Sequence, residues 1–155
     1  MHKINIVAVG NLKEKYWLDA TNEYIKRLSR FASVEIREVP EFSGASKSSI
    51  EQIKDFECAK IQSKLDGYVI SMDKDGKMLT SEQFSELIDK VFASGNSTIS
   101  FVIGGSHGLN KNIREQSKEV VSFGKITFPH QLMRIVLLEQ VYRAETILHN
   151  ISYHK

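Results

Sequence analysis

Apolar and polar positions along this chain switch repeatedly between a period of two and a period near three and a half. "INIVAVG" (4–10) is a short apolar run closed by a glycine, which predicts a buried strand. From Lys13 to Arg30 the pattern becomes helical, with Trp17, Ala20, Tyr24 and Leu28 three and four apart. "VEIREV" (34–39) alternates as a second strand until Pro40 stops it, and "PEFSGASKS" (40–48) is polar, small and without period. Ser48 and Ser49, with Glu51 and Gln52 three residues on, form a doubled capping-box signal for a helix over 50–65. "GYVISMD" (67–73) reads as a third strand running into the turn-rich "KDGK". A second capping box, Thr80 to Gln83, opens a helix with Phe84, Leu87, Ile88, Val91 and Phe92 on one face and a stop at Gly95. "TISFVI" (98–103) predicts the fourth strand and leads into "GGSHGLN". A short helix from about Asn110 to Val121, a fifth strand "GKITF" (124–128), a long helix from about His130 to His149 and the tail "ISYHK" complete the chain.

Strand and helix alternate five times, which predicts a single α/β domain over 1–155 built on a largely parallel sheet. The last helix breaks the usual pattern. It is apolar over more than half its circumference, whereas a helix covering one side of a sheet needs a single apolar stripe. A second surface must bury the excess, and the expectation is a homodimer packed along this helix.

Composition adds mostly exclusions. With 155 residues, 41% hydrophobic and 26% charged, the chain is an ordinary globular mixture long enough for a real core. A formal charge of +2 is too small to imply nucleic-acid binding without a local cluster. The one cysteine, Cys58, falls inside a helical pattern and reads as a small core residue. No secretory signal and no run of membrane-spanning length is visible, so the expectation is a cytoplasmic protein.

In an open parallel sheet ligands sit beyond the carboxyl ends of the strands. Three such ends stand out here: Met72-Asp73, Gly104-Gly105-Ser106-His107-Gly108, and Phe128-Pro129-His130. The order G-G-x-x-G after the fourth strand is neither a dinucleotide fingerprint nor a phosphate-binding P-loop. Three glycines in five residues do suit a loop that a ligand approaches closely. "DKDGK" (73–77) fails as a calcium loop, and the five histidines lack metal-binding spacing, so no metal is expected. Arg134 and Arg143 interrupt the apolar last helix and should face an anion, a carboxylate or an interface edge. Lys13 and Lys15 flank Tyr16 and Trp17 in a combination that suits RNA backbone and base stacking, or equally a core role for Trp17.

"VAVG", "FVIGGSHGL", "ITFPHQLMRIVLLEQVYRA" and the terminal "YHK" together resemble the RlmH family across essentially the whole chain. These are small SPOUT-class methyltransferases that modify nitrogen 3 of a pseudouridine in the large-subunit (23S) ribosomal RNA of the assembled ribosome. The resemblance implies a SPOUT (alpha/beta knot) fold with a C-terminal trefoil knot, a homodimer paired along the knot helices, and S-adenosyl-L-methionine as cofactor. It assigns the cofactor site to Met72, where a leucine is common, Gly104, Gly105, and Phe123, Gly124, Lys125, Ile126, Thr127 and Phe128. It gives Arg143, Tyr153 and His154 catalytic roles, with His130 and Arg134 on the substrate side of the methyl donor. Either His154 takes the imino proton or an arginine stabilises the developing anion; the residues leave both open. Two other classes compete: a regulatory module that binds an adenosine ligand, and a ribosome-associated RNA-binding protein without catalysis.

Overall fold

The computed structural model describes residues 1–42 and 49–155. Ser48, one half of the doubled cap, and most of the 40–48 loop lie outside the described residues. Five strands, β1 (His2–Val9), β2 (Ala32–Val39), β3 (Tyr68–Met78), β4 (Thr98–Ile103) and β5 (Glu119–Ser122), form one sheet in the order β2-β1-β4-β3-β5. Every pairing is parallel. The helices are α1 (Lys15–Leu28), α2 (Ile50–Gln62), α3 (Ser81–Ala93), α4 (Lys111–Gln116) and α5 (His130–Leu148).

Strand alternation sorts the core into two layers. Ile4, Ile6 and Ala8 of β1 face α1, α3 and α5, while Val7 and Val9 face α2 and α4 with Cys58, Ile61, Leu109 and Ile113. Cys58 is buried in that second layer, as its place in the helical pattern predicts.

Local chemistry sets the element ends. Ser49 Oγ accepts from the Gln52 amide while Gln52 Oε1 accepts from the Ser49 amide, so the predicted capping box opens α2. Thr80 and Gln83 do the same for α3, which ends before Gly95 at φ +96°. At the far end of α5, Asn150 takes φ 53°, its amide donates to the Ile147 carbonyl, and Ile151 donates to Thr146. That pair of bonds is a Schellman stop with asparagine in the left-handed position, and it turns the tail back along the helix.

The structure corrects the reading of 110–128. The short helix ends at Gln116, and β5 is "EVVS" (119–122) rather than "GKITF". Val121 and Ser122 are buried in the sheet beside β3, whereas Ile126 is 74% exposed. Gly124 at φ +112° cannot continue a strand, and its amide donates to Ser122 Oγ at 3.0 Å, so the chain leaves the sheet there. Residues 123–129 form the loop beyond the carboxyl end of β5. β3 also runs further than the alternation suggests: the register with β5 slips between Met72 and Lys77, and pairing resumes at Lys77 and Met78.

Candidate active site

β4, β3 and β5 are neighbours, so the loops leaving β4 and β5 converge on the stretch of β3 between Met72 and Lys77 where its pairing with β5 is interrupted. They enclose a cavity of about 700 Å³, within the usual range for small-molecule sites. Met72, Ile103, Phe123, Ile126, Phe128 and Met133 supply apolar walls; the glycine loop 104–108 supplies backbone. The loop closes on itself, with the Gly108 amide donating to the Gly105 carbonyl at 3.0 Å. A Cβ at Gly104 would stand 2.8 Å from the Gly108 carbonyl carbon, and one at Gly105 would stand 3.1 Å from a Glu57 oxygen and 3.2 Å from Val9 Cγ1. Gly104 therefore needs glycine for space, while at Gly105 a Cβ enters only if Glu57 or Val9 gives by a few tenths of an ångström; both are separate from the positive φ of Gly108.

Of the residues that the resemblance assigns to a cofactor, Met72, Gly104, Gly105, Phe123, Gly124, Ile126, Thr127 and Phe128 line this cavity together; Lys125 does not. His130 lines it too, at the start of α5, with Nε2 3.3 Å from Glu41 Oε1. Arg134 sits one turn on and is 1% exposed. Its Nη1 donates to Glu38 Oε2 at 2.9 Å and its Nη2 to the Gly10 carbonyl at 3.2 Å. Glu38 Oε2 also accepts from the Leu12 amide, so the pair ties α5 to the ends of β1 and β2. The anticipated carboxylate partner of Arg134 is thus Glu38, and the guanidinium lies outside the cavity lining.

Sequence reasoning missed one wall. Lys54 lines the cavity from α2, and Glu57, one turn later, is buried against Gly105. Burial, with a smaller push from Glu41, raises the Glu57 carboxyl above the ordinary glutamate range. Asp73 and Arg114 also contribute to the lining, their charged ends 3.9 Å apart. Asp73 belongs to the Met72-Asp73 pair that the sequence singles out, although the structure places it inside β3, where pairing with β5 is interrupted. Lys54 and Glu57 are not singled out, because helical spacing says which residues share a face but not what the face covers.

The predicted catalytic residues form a second cluster, on the C-terminal half of α5 and the tail. Arg143 Nη2 donates to Glu139 Oε1 at 2.6 Å, and Tyr153 Oη donates to the same oxygen at 3.0 Å. The Arg143 guanidinium lies over the Tyr153 ring, 4.7 Å from its centroid. Its Nη1 is 3.3 Å from His154 Nδ1. An arginine only donates, so Nδ1 accepts, and the proton of the neutral ring sits on Nε2, which meets Glu82 Oε1 at 2.7 Å. The hydrogen bond from His154 holds the Glu82 carboxyl below its ordinary range. Tyr153 is pushed up, first by burial and then by its bond to Glu139.

Within one protomer the two groups stand apart. His130 and Arg143 stand thirteen positions apart on the helix, about 20 Å at 1.5 Å per residue. Between them α5 carries Leu132, Ile135 and Val136, half-buried although apolar. Near the β1 exit Tyr16 is 64% exposed and Trp17 half-buried, while Lys15 is engaged by Asp19 at 2.7 Å.

A domain with parallel strands, a ligand cavity over three adjacent strands and a polar cluster on its last helix and tail fits a group-transfer enzyme. The chain belongs to the SPOUT methyltransferase family: residues 2–154 match the family described as "Predicted SPOUT methyltransferase". It is 49% identical over 157 residues to the Ribosomal RNA large subunit methyltransferase H of Listeria monocytogenes serovar 1/2a, covering 98% of this chain and 99% of the relative. The Enterococcus faecalis protein of the same name is 45% identical over 158 residues, with 99% of each chain covered. Among solved structures, a probable methylase family protein from Haemophilus influenzae superposes with a TM-score of 0.54 at 12% identity, covering 98% of this chain and 70% of that one. The tRNA (m1G37) methyltransferase of Aquifex aeolicus gives 0.51 at 11% identity, covering 92% and 70%. These two support the fold alone. Among the described residues no group of three or more His, Cys, Asp or Glu is placed to hold a metal, and no helix is long and apolar enough to cross a membrane.

Proposed function

We propose that the protein transfers a methyl group from S-adenosyl-L-methionine to nitrogen 3 of a pseudouridine in the 23S rRNA of assembled, cytoplasmic ribosomes, acting as a homodimer. The observation that carries the reading is the convergence of Met72, the glycine loop and the 123–128 segment on one cavity. Near-complete, 45–49% identical relatives named for methylation of large-subunit ribosomal RNA support the substrate class.

The cavity fits the cofactor. Apolar side chains suit an adenine ring, and glycines whose Cβ positions are occupied by backbone or by Glu57 leave main-chain groups open to a ligand. When bound, S-adenosyl-L-methionine supplies a methyl carbon on a sulfonium, open to in-line displacement. The residues of this chain would hold it, orient it and exclude water. The target nitrogen must lose its proton, and the negative charge that develops spreads onto the neighbouring carbonyls. Arg143 stabilises that charge. Both ring nitrogens of His154 are engaged, Nδ1 by Arg143 and Nε2 by Glu82, which favours the arginine as stabiliser over the histidine as direct base. The proton leaves to water.

Because about 20 Å of helix separates cavity from tail within a protomer, the reading requires that the tail of one subunit serve the cavity of its partner. The half-buried Leu132, Ile135 and Val136 offer the face along which two α5 helices would pair. The family's trefoil knot belongs to the same reading.

The test is complementation. Gly104→Val drives a side chain into the Gly108 backbone and disrupts the cavity's glycine loop, and Arg143→Ala removes the proposed stabiliser, so each variant alone should be inactive. Mixed in equal amounts with subunit exchange, they should regain about a quarter of parental methyl transfer, because half the dimers are mixed and each has one intact site. A mixture with no activity, alongside an active parent, would contradict a site shared between subunits.

A further inference from the structure

The tail cluster turns on a residue that neither the sequence pattern nor the resemblance singles out. Glu139 lies one helical turn before Arg143 and its side chain is 19% exposed. Its carboxylate gathers Arg143 Nη2 at 2.6 Å, Arg143 Nε at 3.1 Å and Tyr153 Oη at 3.0 Å on Oε1, and Gln140 Nε2 at 3.0 Å on Oε2. An exposed i,i+4 ion pair exchanges with water and fixes little. This one is largely shielded, is forked on the arginine side, and takes a donor from the tail as well.

The fork decides which part of the arginine remains free. Glu139 occupies the Nε/Nη2 edge, so Nη1 is left to meet His154 Nδ1. Holding Tyr153 Oη at the same oxygen lays the phenol ring under the guanidinium. One carboxylate therefore sets the rotamer of Arg143, the seat of Tyr153 and, through Arg143, the acceptor role of His154.

We propose that Glu139 is a positioning residue for the methyl transfer, aiming the Nη1 N–H of Arg143 that His154 does not take at the substrate base while clamping the tail beneath it. The proposal rests on the reading that Arg143, Tyr153 and His154 serve the reaction. Glu139 touches neither cofactor nor substrate; it acts through the residues that do. Oriented partners of this kind are typically worth 10–100-fold when removed, as for outer-shell groups around metal ligands.

The experiment compares the full-length parent with Glu139→Ala and Glu139→Gln in methyl transfer to ribosomes. In the Ala variant kcat should fall about 10–100-fold while KM for ribosomes stays within about threefold. Cofactor affinity by calorimetry should be unchanged, because Glu139 is not among the residues that line the cavity. Gln should fall between, since its amide oxygen still accepts but its NH2 opposes the guanidinium. A second readout follows the phenol: tyrosinate absorbance on alkaline titration should show one group ionising at lower pH in Glu139→Ala, and that difference should vanish when Tyr153→Phe is present. An active parent with kcat in both variants within about threefold of it would overturn the proposal alone. So would a loss of kcat matched by an equal loss of cofactor affinity, which would mark a general structural role. A parent that transfers no methyl group would remove the underlying reading and this proposal together.

Discussion

Arg134 gives the account its sharpest energetic test. Its guanidinium is 1% exposed, and Glu38 at 2.9 Å is its charged partner among the described residues. Removing one member of a buried pair typically costs about 3–5 kcal/mol, because the other is left uncompensated. The Glu38 side chain is 39% exposed. Water can enter the space it leaves, so Glu38→Ala should cost about 2–3 kcal/mol, at or below the lower end of that range. At about 2–4 °C per kcal/mol for a chain of this size, Tm falls by roughly 5–10 °C. Arg134→Met removes the charge with the bonds and keeps most of the packing volume, so it should cost about 1–2 kcal/mol. The double variant is the decisive one. With no cation to strand, losing Glu38 forfeits only its bond from Leu12, and the double variant should lie within about 1 kcal/mol of Arg134→Met. Denaturant unfolding followed by circular dichroism measures all three. Additivity of the two single changes to within about 0.5 kcal/mol would refute the argument. Because this pair seats the turn that carries His130 and Met133 into the cavity, Glu38→Ala should also weaken cofactor binding.

Other outcomes follow from single contacts. Gly105→Ala puts a methyl group 3.1 Å from the Glu57 carboxylate and 3.2 Å from Val9, so cofactor affinity should drop in calorimetry while the protein stays folded. Glu145 is buried on α5, and desolvation raises its carboxyl above the ordinary range. The folded state then holds that proton more tightly than the unfolded chain, so its contribution to stability falls as pH rises from the ordinary glutamate range through the raised value. Glu145→Gln should accordingly unfold at higher temperature than the parent at neutral pH, with the gap closing near pH ~4. Asn150→Val forces a β-branched residue into the left-handed position that turns the tail, at a cost of about 1–2 kcal/mol, whereas Asn150→Gly should be close to neutral. Removing residues 153–155 should abolish methyl transfer and leave cofactor affinity intact; unchanged activity would exclude the tail from the reaction.

Where a local rule governs the backbone, the sequence is readable. The Ser49 and Thr80 capping boxes and the stop at Gly95 fall where the pattern puts them. The strand after α4 was misread because "ITF" has β-prone side chains while "EVVS" follows a helical stretch without a break. Gly124 decides between them, and its left-handed φ is a property of the folded loop. On the cavity side, the rule that strand ends in a parallel sheet gather ligands reached Met72 and the glycine loop, while the 123–127 stretch came from the family resemblance because its strand was placed too late in the chain. The α2 wall was not legible, since Lys54 and Glu57 acquire meaning only once Glu57 lies against Gly105. Arg134 and Arg143 look alike as charges interrupting an apolar helix. Only the fold separates them, giving one to Glu38 across the sheet ends and the other to Glu139 on its own helix.

The most direct measurement is transfer of labelled methyl from S-adenosyl-L-methionine to assembled ribosomes from a strain lacking this modification. Free 23S rRNA runs in parallel, and the labelled nucleoside is identified by mass. The account predicts label on a pseudouridine, methylated at nitrogen 3, in ribosomes. Ribosomes left unlabelled by a protein that still binds the cofactor, or label on a different nucleoside, would contradict it.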